Sequence, residues 1–257
     1  MDLSIIVPVY NEVNTIKKIL EGIINVDIDL TKEIIVVDDG STDGTKEFLS
    51  RIKDSQIKVL FHNKNRGKTD AIKTALTEVR GDIVIIQDAD LEYPPSKNYK
   101  ILLEPILEGY ADVVYGSRFL GTHRVFYFWH YFANKFLTTL ANILYDTMLS
   151  DMETGAKVFK REVLETVTLT SQGFGFEPEI TAKVFKGKFR VYEIPITYYG
   201  RAYKEGKKIK PIDGIKAIIY LLKYRFTPLE KVYPLKNKLL MRQADKVDGK
   251  DINHDDD

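Results

Sequence analysis

Ile83-Val84-Ile85-Ile86-Gln87-Asp88-Ala89-Asp90 decides how this chain is read. Its β-branched run has the character of a strand buried on both faces. The run ends in two carboxylates separated by one alanine. Side chains alternate along a strand, so Asp88 and Asp90 point the same way if the strand continues. The end of a buried parallel strand is where open α/β sheets bind ligands. Two aspartates there repel one another unless a cation lies between them. One reading is a divalent metal held by carboxylate oxygens and completed by substrate phosphates, as Mg²⁺ usually is. The other is a turn with helix-capping aspartates, and Pro94-Pro95 fits a helix start just beyond.

Outward from this stretch, strands and helices alternate. Strands are expected at 3–9, 33–37, 57–61 and 83–88, with helices at 13–24, 45–52 and 71–79 between them. Such alternation predicts a parallel sheet with helices on both faces. A helix at 96–107 and a strand at 111–115 follow. The segment 126–149 is apolar and strongly aromatic, and its polar residues His130, Asn134, Thr138, Asn142 and Asp146 recur every four positions. On a helix they form one slowly spiralling polar stripe opposite a broad apolar face. Such a helix is either core or lies at a membrane surface, with Trp129 at headgroup depth.

Further strands are expected at 155–160 and 189–196, and a helix at 179–185. Residues 201–210 carry five basic side chains and one acidic. A loop of that kind is either simply solvated or binds phosphate groups. A helix within 212–226 sets Ile215, Ile218, Ile219 and Leu222 beside Lys216, Lys223 and Arg225, a second candidate for a membrane surface. One domain is expected over 1–226. An extension follows at 227–257, disordered from about 245, where six aspartates face two lysines.

Composition sets the bounds. The 257 residues are 44% hydrophobic and 29% charged, which fits a globular domain. A net charge of +1 gives no basic field of the kind nucleic-acid binding requires. Without cysteine, disulfide frameworks and thiolate metal sites are excluded, in keeping with a reducing compartment. The first residues show no basic n-region or cleavage site, so no signal peptide is expected. No uncharged apolar stretch is long enough to span a bilayer.

Several segments resemble, in order, the motifs of family 2 inverting glycosyltransferases. They are Val7-Pro8-Val9-Tyr10-Asn11-Glu12, Val36-Val37-Asp38-Asp39-Gly40-Ser41-Thr42-Asp43-Gly44-Thr45, Asn65-Arg66-Gly67-Lys68 and Asp88-Ala89-Asp90-Leu91-Glu92-Tyr93-Pro94-Pro95. Gly116-Ser117-Arg118-Phe119, Asp151-Met152-Glu153-Thr154-Gly155 and the segment 199–208 are similar to the polyprenyl-phosphate branch, typified by dolichyl-phosphate mannose synthases. The resemblance implies a GT-A fold, that is, a Rossmann-like, mixed but mostly parallel α/β sheet flanked by helices, here with amphipathic surface helices. It implies that Pro8, Tyr10, Glu12, Val37 and Asp39 cradle the nucleoside and that Lys68 joins the nucleotide-sugar site. Asp88, Ala89 and Asp90 would hold the diphosphate through Mg²⁺ or Mn²⁺. Glu92 stands where the branch often has glutamine and adds a third metal candidate. Arg118 and Arg201 would grip phosphates as catalytic residues with Asp90, and Lys207 would close over the donor. Beside these roles stand plainer ones: Tyr10 as a strand-end aromatic, Asp38 and Asp43 as turn residues, and Arg118 as a surface ion pair.

The reaction so implied moves a sugar from a GDP- or UDP-linked donor to polyprenyl phosphate with inversion. A lipid monophosphate, with a second pKa near ~6, is largely dianionic and needs no general base. A sugar hydroxyl as acceptor would need one, and Glu177 or Glu179 would supply it. A polyprenyl chain stays in the bilayer, so the enzyme is expected at the cytoplasmic face, bound peripherally or through a separate membrane partner protein. Processive polysaccharide synthases are disfavoured because their QxxRW signature is absent. Sugar-nucleotide pyrophosphorylases are disfavoured because Pro8-Val9-Tyr10-Asn11-Glu12 is not a Gly-rich phosphate loop. A non-catalytic nucleotide-sugar module is disfavoured by the intact Asp88 and Asp90.

Overall fold

The computed structural model describes residues 1–125, 127–173, 175–200 and 211–233. The basic segment 201–210, with Arg201 and Lys207, and the tail 234–257 lie outside the described residues.

Seven strands form one sheet. They are β1 (Asp2–Val9), β2 (Thr31–Asp38), β3 (Ile57–Phe61), β4 (Ile83–Ile86), β5 (Val113–Ser117), β6 (Lys157–Lys160) and β7 (Val191–Pro195). Their order is β3-β2-β1-β4-β6-β5-β7. All neighbours are parallel except β6, which runs antiparallel to both β4 and β5. The expected strands are all present, and the sheet is mixed but mostly parallel. The reversed strand has no signature of its own, because a buried strand reads as an apolar run whichever way it points.

Alternation along the central strands divides the core in two. Ile5, Val7, Ile34, Val36, Ile83 and Ile85 face α1 (Ile16–Ile24) and α4 (Pro95–Leu107). Ile6, Ile35, Val37, Val84 and Ile86 face the other layer. That layer holds α3 (Lys68–Leu76), α5 (Phe128–Tyr145), α7 (Phe176–Lys186) and α8 (Pro211–Phe226). Short helices α2 (Thr45–Leu49), α6 (Arg161–Thr166) and α9 (Leu229–Val232) complete the elements. The packed core continues past α8 to Val232 and Tyr233, both almost fully buried.

β1 connects to β2 on one side and pairs with β4 on the other, so the sheet has a switch point between β1 and β4. The carboxyl ends of β1, β2 and β4 therefore open onto one cleft. β4 ends at Ile86, two residues before Asp88. Asp88 and Asp90 thus sit in the turn past the strand, with Leu91 at φ 62°, and strand alternation does not set their directions.

Helix α5 turns its polarity inward. Thr138 accepts the backbone N–H of Met152 at 3.1 Å, and Asn142 bonds both the N–H and the C=O of Leu149. The polar stripe thus satisfies the returning 149–152 segment. Outward lie Phe128, Trp129, Phe132, Phe136 and Ile143, with Trp129 75% exposed. Helix α8 likewise exposes Ile215, Ile219 and Phe226. No helix among the described residues is long and apolar enough to cross a membrane.

Candidate active site

Three turns at the strand ends are stitched together before any ligand arrives. Backbone N–H groups of Asn11 and Glu12 donate to Ser41 Oγ and Thr45 Oγ1 at 2.9 and 3.0 Å. The Thr42 N–H donates to Asn11 Oδ1 at 2.8 Å, with Asn11 itself at φ 53°. Gly40 takes φ 75° and packs so tightly on the backbone of Lys64 and Asn65 that a Cβ would collide. Asp43 bonds the N–H groups of Val13 and Thr45 and serves as a turn residue.

Asp39 is the hub of this region. Its carboxylate accepts the N–H groups of Arg66 and Gly67, the latter at 2.7 Å, and meets His62 Nδ1 at 2.6 Å. His62 Nε2 reaches Thr74 Oγ1 on α3 at 2.9 Å. The Asp39 carboxylate, expected in the nucleoside cradle, is therefore engaged in shaping the 62–67 turn. Val37 is fully buried, so its side chain belongs to the core beneath the cleft. Pro8 and Tyr10 are half-buried at the end of β1, and Glu12 accepts Thr15 Oγ1 at 2.7 Å.

Lys68 bridges two carboxylates far apart in sequence. From the first turn of α3, its Nζ lies 2.7 Å from Asp88 Oδ1 and 2.8 Å from Glu177 Oε1 on α7. Burial opposes the ammonium charge, but Asp88 and Glu177 outweigh it and hold Lys68 above the usual lysine range. The other Asp88 oxygen rests against Gly155, where any Cβ would collide with it. Gly155 N–H donates to Tyr93 Oη at 3.0 Å, and Gln87 Nε2 bonds the carbonyls of Asp88 and Tyr93.

Asp90 accepts the Glu92 N–H at 3.2 Å. Glu92 in turn accepts Tyr198 Oη at 2.9 Å. Asp88, Asp90 and Glu92 share one turn but do not converge, and no three metal-binding side chains cluster among the described residues. Glu92 is drawn to Tyr198 and Asp88 to Lys68. The donor set still fits a hard cation, since Mg²⁺ is commonly held by one or two carboxylates plus substrate phosphates. The ammonium of Lys68 already marks where Asp88 meets positive charge.

Arg118 is not on the surface. Its Nε and Nη2 each lie 2.7 Å from an oxygen of Asp151, a bidentate pair in which Asp151 is fully buried. The guanidinium also stacks over Tyr198, 5.5 Å from the ring centroid. Glu193 accepts the N–H groups of Ser150 and Asp151 and fixes the segment that carries the aspartate. Glu179, a base candidate from the sequence, is fully enclosed. Its carboxylate bonds the Thr170 and Ser171 N–H groups and Lys183, so it braces α7 and cannot reach a substrate. Glu177 alone of the two stands at the site.

Two residues beside the cleft lie in a quoted motif or next to it, but nothing in the pattern assigned them a role. Lys157 is fully buried, donates to the carbonyls of Met152 and Thr154, and lies 4.7 Å from the Tyr115 ring centroid. Burial pulls its ammonium down to about 8. Burial and the nearby Glu177 push the Glu153 carboxyl up to about 7. A carboxyl raised this way is stabilising below its ordinary range and loses that contribution as pH rises through about 7. Glu153→Gln removes the loss. Its melting temperature, relative to the unsubstituted protein, is expected to be higher at pH 8 than at pH 5. A scanning-fluorimetry difference that does not change with pH would contradict this.

A hollow of about 390 Å³ opens beside the Arg118–Asp151 pair. Phe119, Leu120, Phe128 and Tyr131 give it aromatic and aliphatic walls, and Lys135 and Ser150 give it polar groups. Lys135 Nζ lies 5.2 Å from the Phe119 ring centroid and donates to Ser150 O at 3.2 Å. Sequence reading passed over Lys135 because it is one lysine in an aromatic helix. Only the fold sets it opposite Ser150.

Residues 4–168 match glycosyl transferase family 2, and the chain belongs to that family. It is 32% identical over 232 residues to the dolichol-phosphate mannosyltransferase of Pyrococcus furiosus, covering 87% of this chain and 64% of that protein. It is 31% identical over 238 residues to the glycosyltransferase AglJ of Haloferax volcanii, covering 87% and 71%. It is 29% identical to the undecaprenyl-phosphate 4-deoxy-4-formamido-L-arabinose transferase of Proteus mirabilis, covering 80% and 62%. The chain thus spans roughly two thirds of the length of these relatives. The fold superposes on glucosyl-3-phosphoglycerate synthase of Mycobacterium tuberculosis, solved with Mn²⁺, UDP and phosphoglyceric acid. The TM-score is 0.69 at 22% identity, covering 88% of this chain and 79% of that one. The expected GT-A architecture is the one observed.

Proposed function

We propose that this chain transfers a sugar from a nucleotide-sugar donor to a polyprenyl phosphate at a membrane surface, with inversion. The observation that carries the reading is the hollow beside Arg118. Its aromatic walls suit an isoprenoid, Lys135 suits a phosphate, and it is continuous with the outward apolar residues of α5. An aromatic apolar face of this kind suits the interfacial layer of a bilayer, and α8 offers a second one. The relatives named for dolichol phosphate and undecaprenyl phosphate support the same acceptor class.

The donor lies across the carboxyl ends of β1, β2 and β4, its diphosphate toward Asp88 and Asp90. A divalent ion there, Mg²⁺ or Mn²⁺, would be held by these aspartates and would offset charge on the departing diphosphate. The acceptor phosphate is a nucleophile without further activation. Its oxygen forms a bond to C1 of the sugar as the bond from C1 to the β-phosphate oxygen breaks, and the configuration inverts. What the protein must supply is positive charge where two anions meet, from Lys135 on the acceptor side and Lys68 on the donor side. Glu177 is engaged with Lys68 and is not required as a base.

The test incubates the full chain with polyprenyl phosphate in membranes and a panel of radiolabelled GDP- and UDP-sugars, with and without chelator. Label is expected in the organic extract, and chelator is expected to abolish it. Label confined to water-soluble glycan would overturn the lipid-phosphate acceptor and favour a hydroxyl acceptor with Glu177 as base. Label in the organic extract that persists with chelator would remove the metal.

A further inference from the structure

The metal site proposed above needs Asp88, yet both oxygens of that carboxylate are already engaged. Oδ2 rests against the Gly155 backbone, which has no room there for a Cβ. Oδ1 is held by the Lys68 ammonium at 2.7 Å. The contact is not sealed away. The Asp88 side chain is 22% exposed and that of Lys68 13%, so an ion arriving from solvent can reach it. Lys68 also has a second anchor, since Glu177 Oε1 lies 2.8 Å from the same nitrogen. Lys68 opens α3 and Glu177 lies in the first turn of α7. An ammonium with three donors can hold two carboxylates at once, or release one and keep the other. Releasing Asp88 leaves the tie between the two helices in place.

A divalent ion bonded to Oδ1 would stand within contact distance of the ammonium there. Like charges that close repel strongly where water is largely excluded. We infer that Lys68 and the divalent ion occupy Asp88 in turn: Lys68 holds Asp88 before the ion arrives, gives it up to the ion and stays on Glu177. Lys68 thereby lowers the ion's apparent affinity for the chain alone, because only molecules in which Asp88 is released are competent to bind. Glu177 is the positioning residue that keeps the released ammonium on the donor side of the cleft. This exchange presumes the metal site proposed above and is independent of the acceptor.

The test titrates Mn²⁺ alone into the full chain and its variants and reads free Mn²⁺ by electron paramagnetic resonance, with no turnover involved. Lys68→Met alone would strand Glu177, so the main variant combines Lys68→Met with Glu177→Gln. It removes one positive and one negative charge, and the net charge of the site is unchanged. It is expected to bind Mn²⁺ about tenfold more tightly than the unsubstituted protein. Glu177→Gln alone leaves the ammonium on Asp88 without its second anchor, and should weaken Mn²⁺ by about threefold or more. Adding Asp90→Asn to the double variant should cancel the gain. Equal or weaker binding in the double variant would overturn the inference, as would tighter binding in Glu177→Gln or a gain that survives Asp90→Asn. If the double variant loses its native circular-dichroism spectrum, Lys68→Met alone decides: tighter Mn²⁺ binding is expected, and none would overturn the inference. If no form of the chain binds Mn²⁺, the proposed metal site falls and the exchange with it. A chain that behaves as expected but labels no lipid would sink the acceptor and leave the exchange in place.

Discussion

Arg118→Ala is expected to lower folding stability by about 3–5 kcal/mol, because it strands a buried carboxylate. Asp151 is fully buried, and both of its oxygens are met by the Arg118 guanidinium at 2.7 Å. The Arg118 N–H, which the substitution keeps, bonds the same carboxylate at 3.0 Å and cannot offset a charge. Removing only the guanidinium therefore leaves a charge in a low-dielectric site, which is worse than having no pair at all. Arg118→Lys should recover part of the loss, since an ammonium restores the charge but not the planar fork. Replacing both partners, as in Arg118→Met with Asp151→Leu, should recover most of it. If the double variant regains stability but not turnover, Arg118 also serves the reaction. If it regains both, the pair is structural. Urea denaturation of the three variants measures this, and a loss below about 1 kcal/mol for Arg118→Ala would contradict the buried-pair account.

Arg118 also marks the limit of what the chain alone could tell. Its motif was visible, but its partner is 33 residues away, and no local pattern pairs them. Lys68 and Glu177 are 109 residues apart, and their contact depends on α3 and α7 lying on the same face of the sheet. Asp39 was legible from the motif as a candidate for the nucleoside site. Its engagement with His62, Arg66 and Gly67 required knowing how β3 returns beside β2. By contrast, β1, β2 and β4 were plain from their apolar runs, and the alternation that splits the core in two follows from strand geometry. The helix at 126–149 was legible as amphipathic, while the direction of its stripe was not. Only the docking of the 149–152 segment shows that Thr138 and Asn142 face inward.

Asp90→Asn is expected to cut turnover by on the order of 10²–10³ or more while leaving the fold intact, an effect comparable to losing one transition-state charge contact. The reason to choose Asp90 over Asp88 lies in their partners. Asp88 is paired with Lys68 and packed against Gly155, so Asp88→Asn would disturb the Lys68–Glu177 bridge as well as the cleft. Asp90 is half-buried in the turn, and its carboxylate accepts the N–H of Glu92, a bond that an asparagine carbonyl oxygen can also accept. The substitution thus removes a negative charge while keeping the bond from the Glu92 N–H, and the melting temperature should hold. Nucleoside diphosphate binding should lose its dependence on added Mn²⁺, because two carboxylates balance a divalent ion better than one. The two readouts constrain each other. A slow variant with intact Mn²⁺-dependent binding would place Asp90 on the sugar or acceptor side of the reaction. Near-unchanged turnover would take the ion out of the mechanism, and Lys68 and Lys135 would then have to offset the charge of both anions unaided.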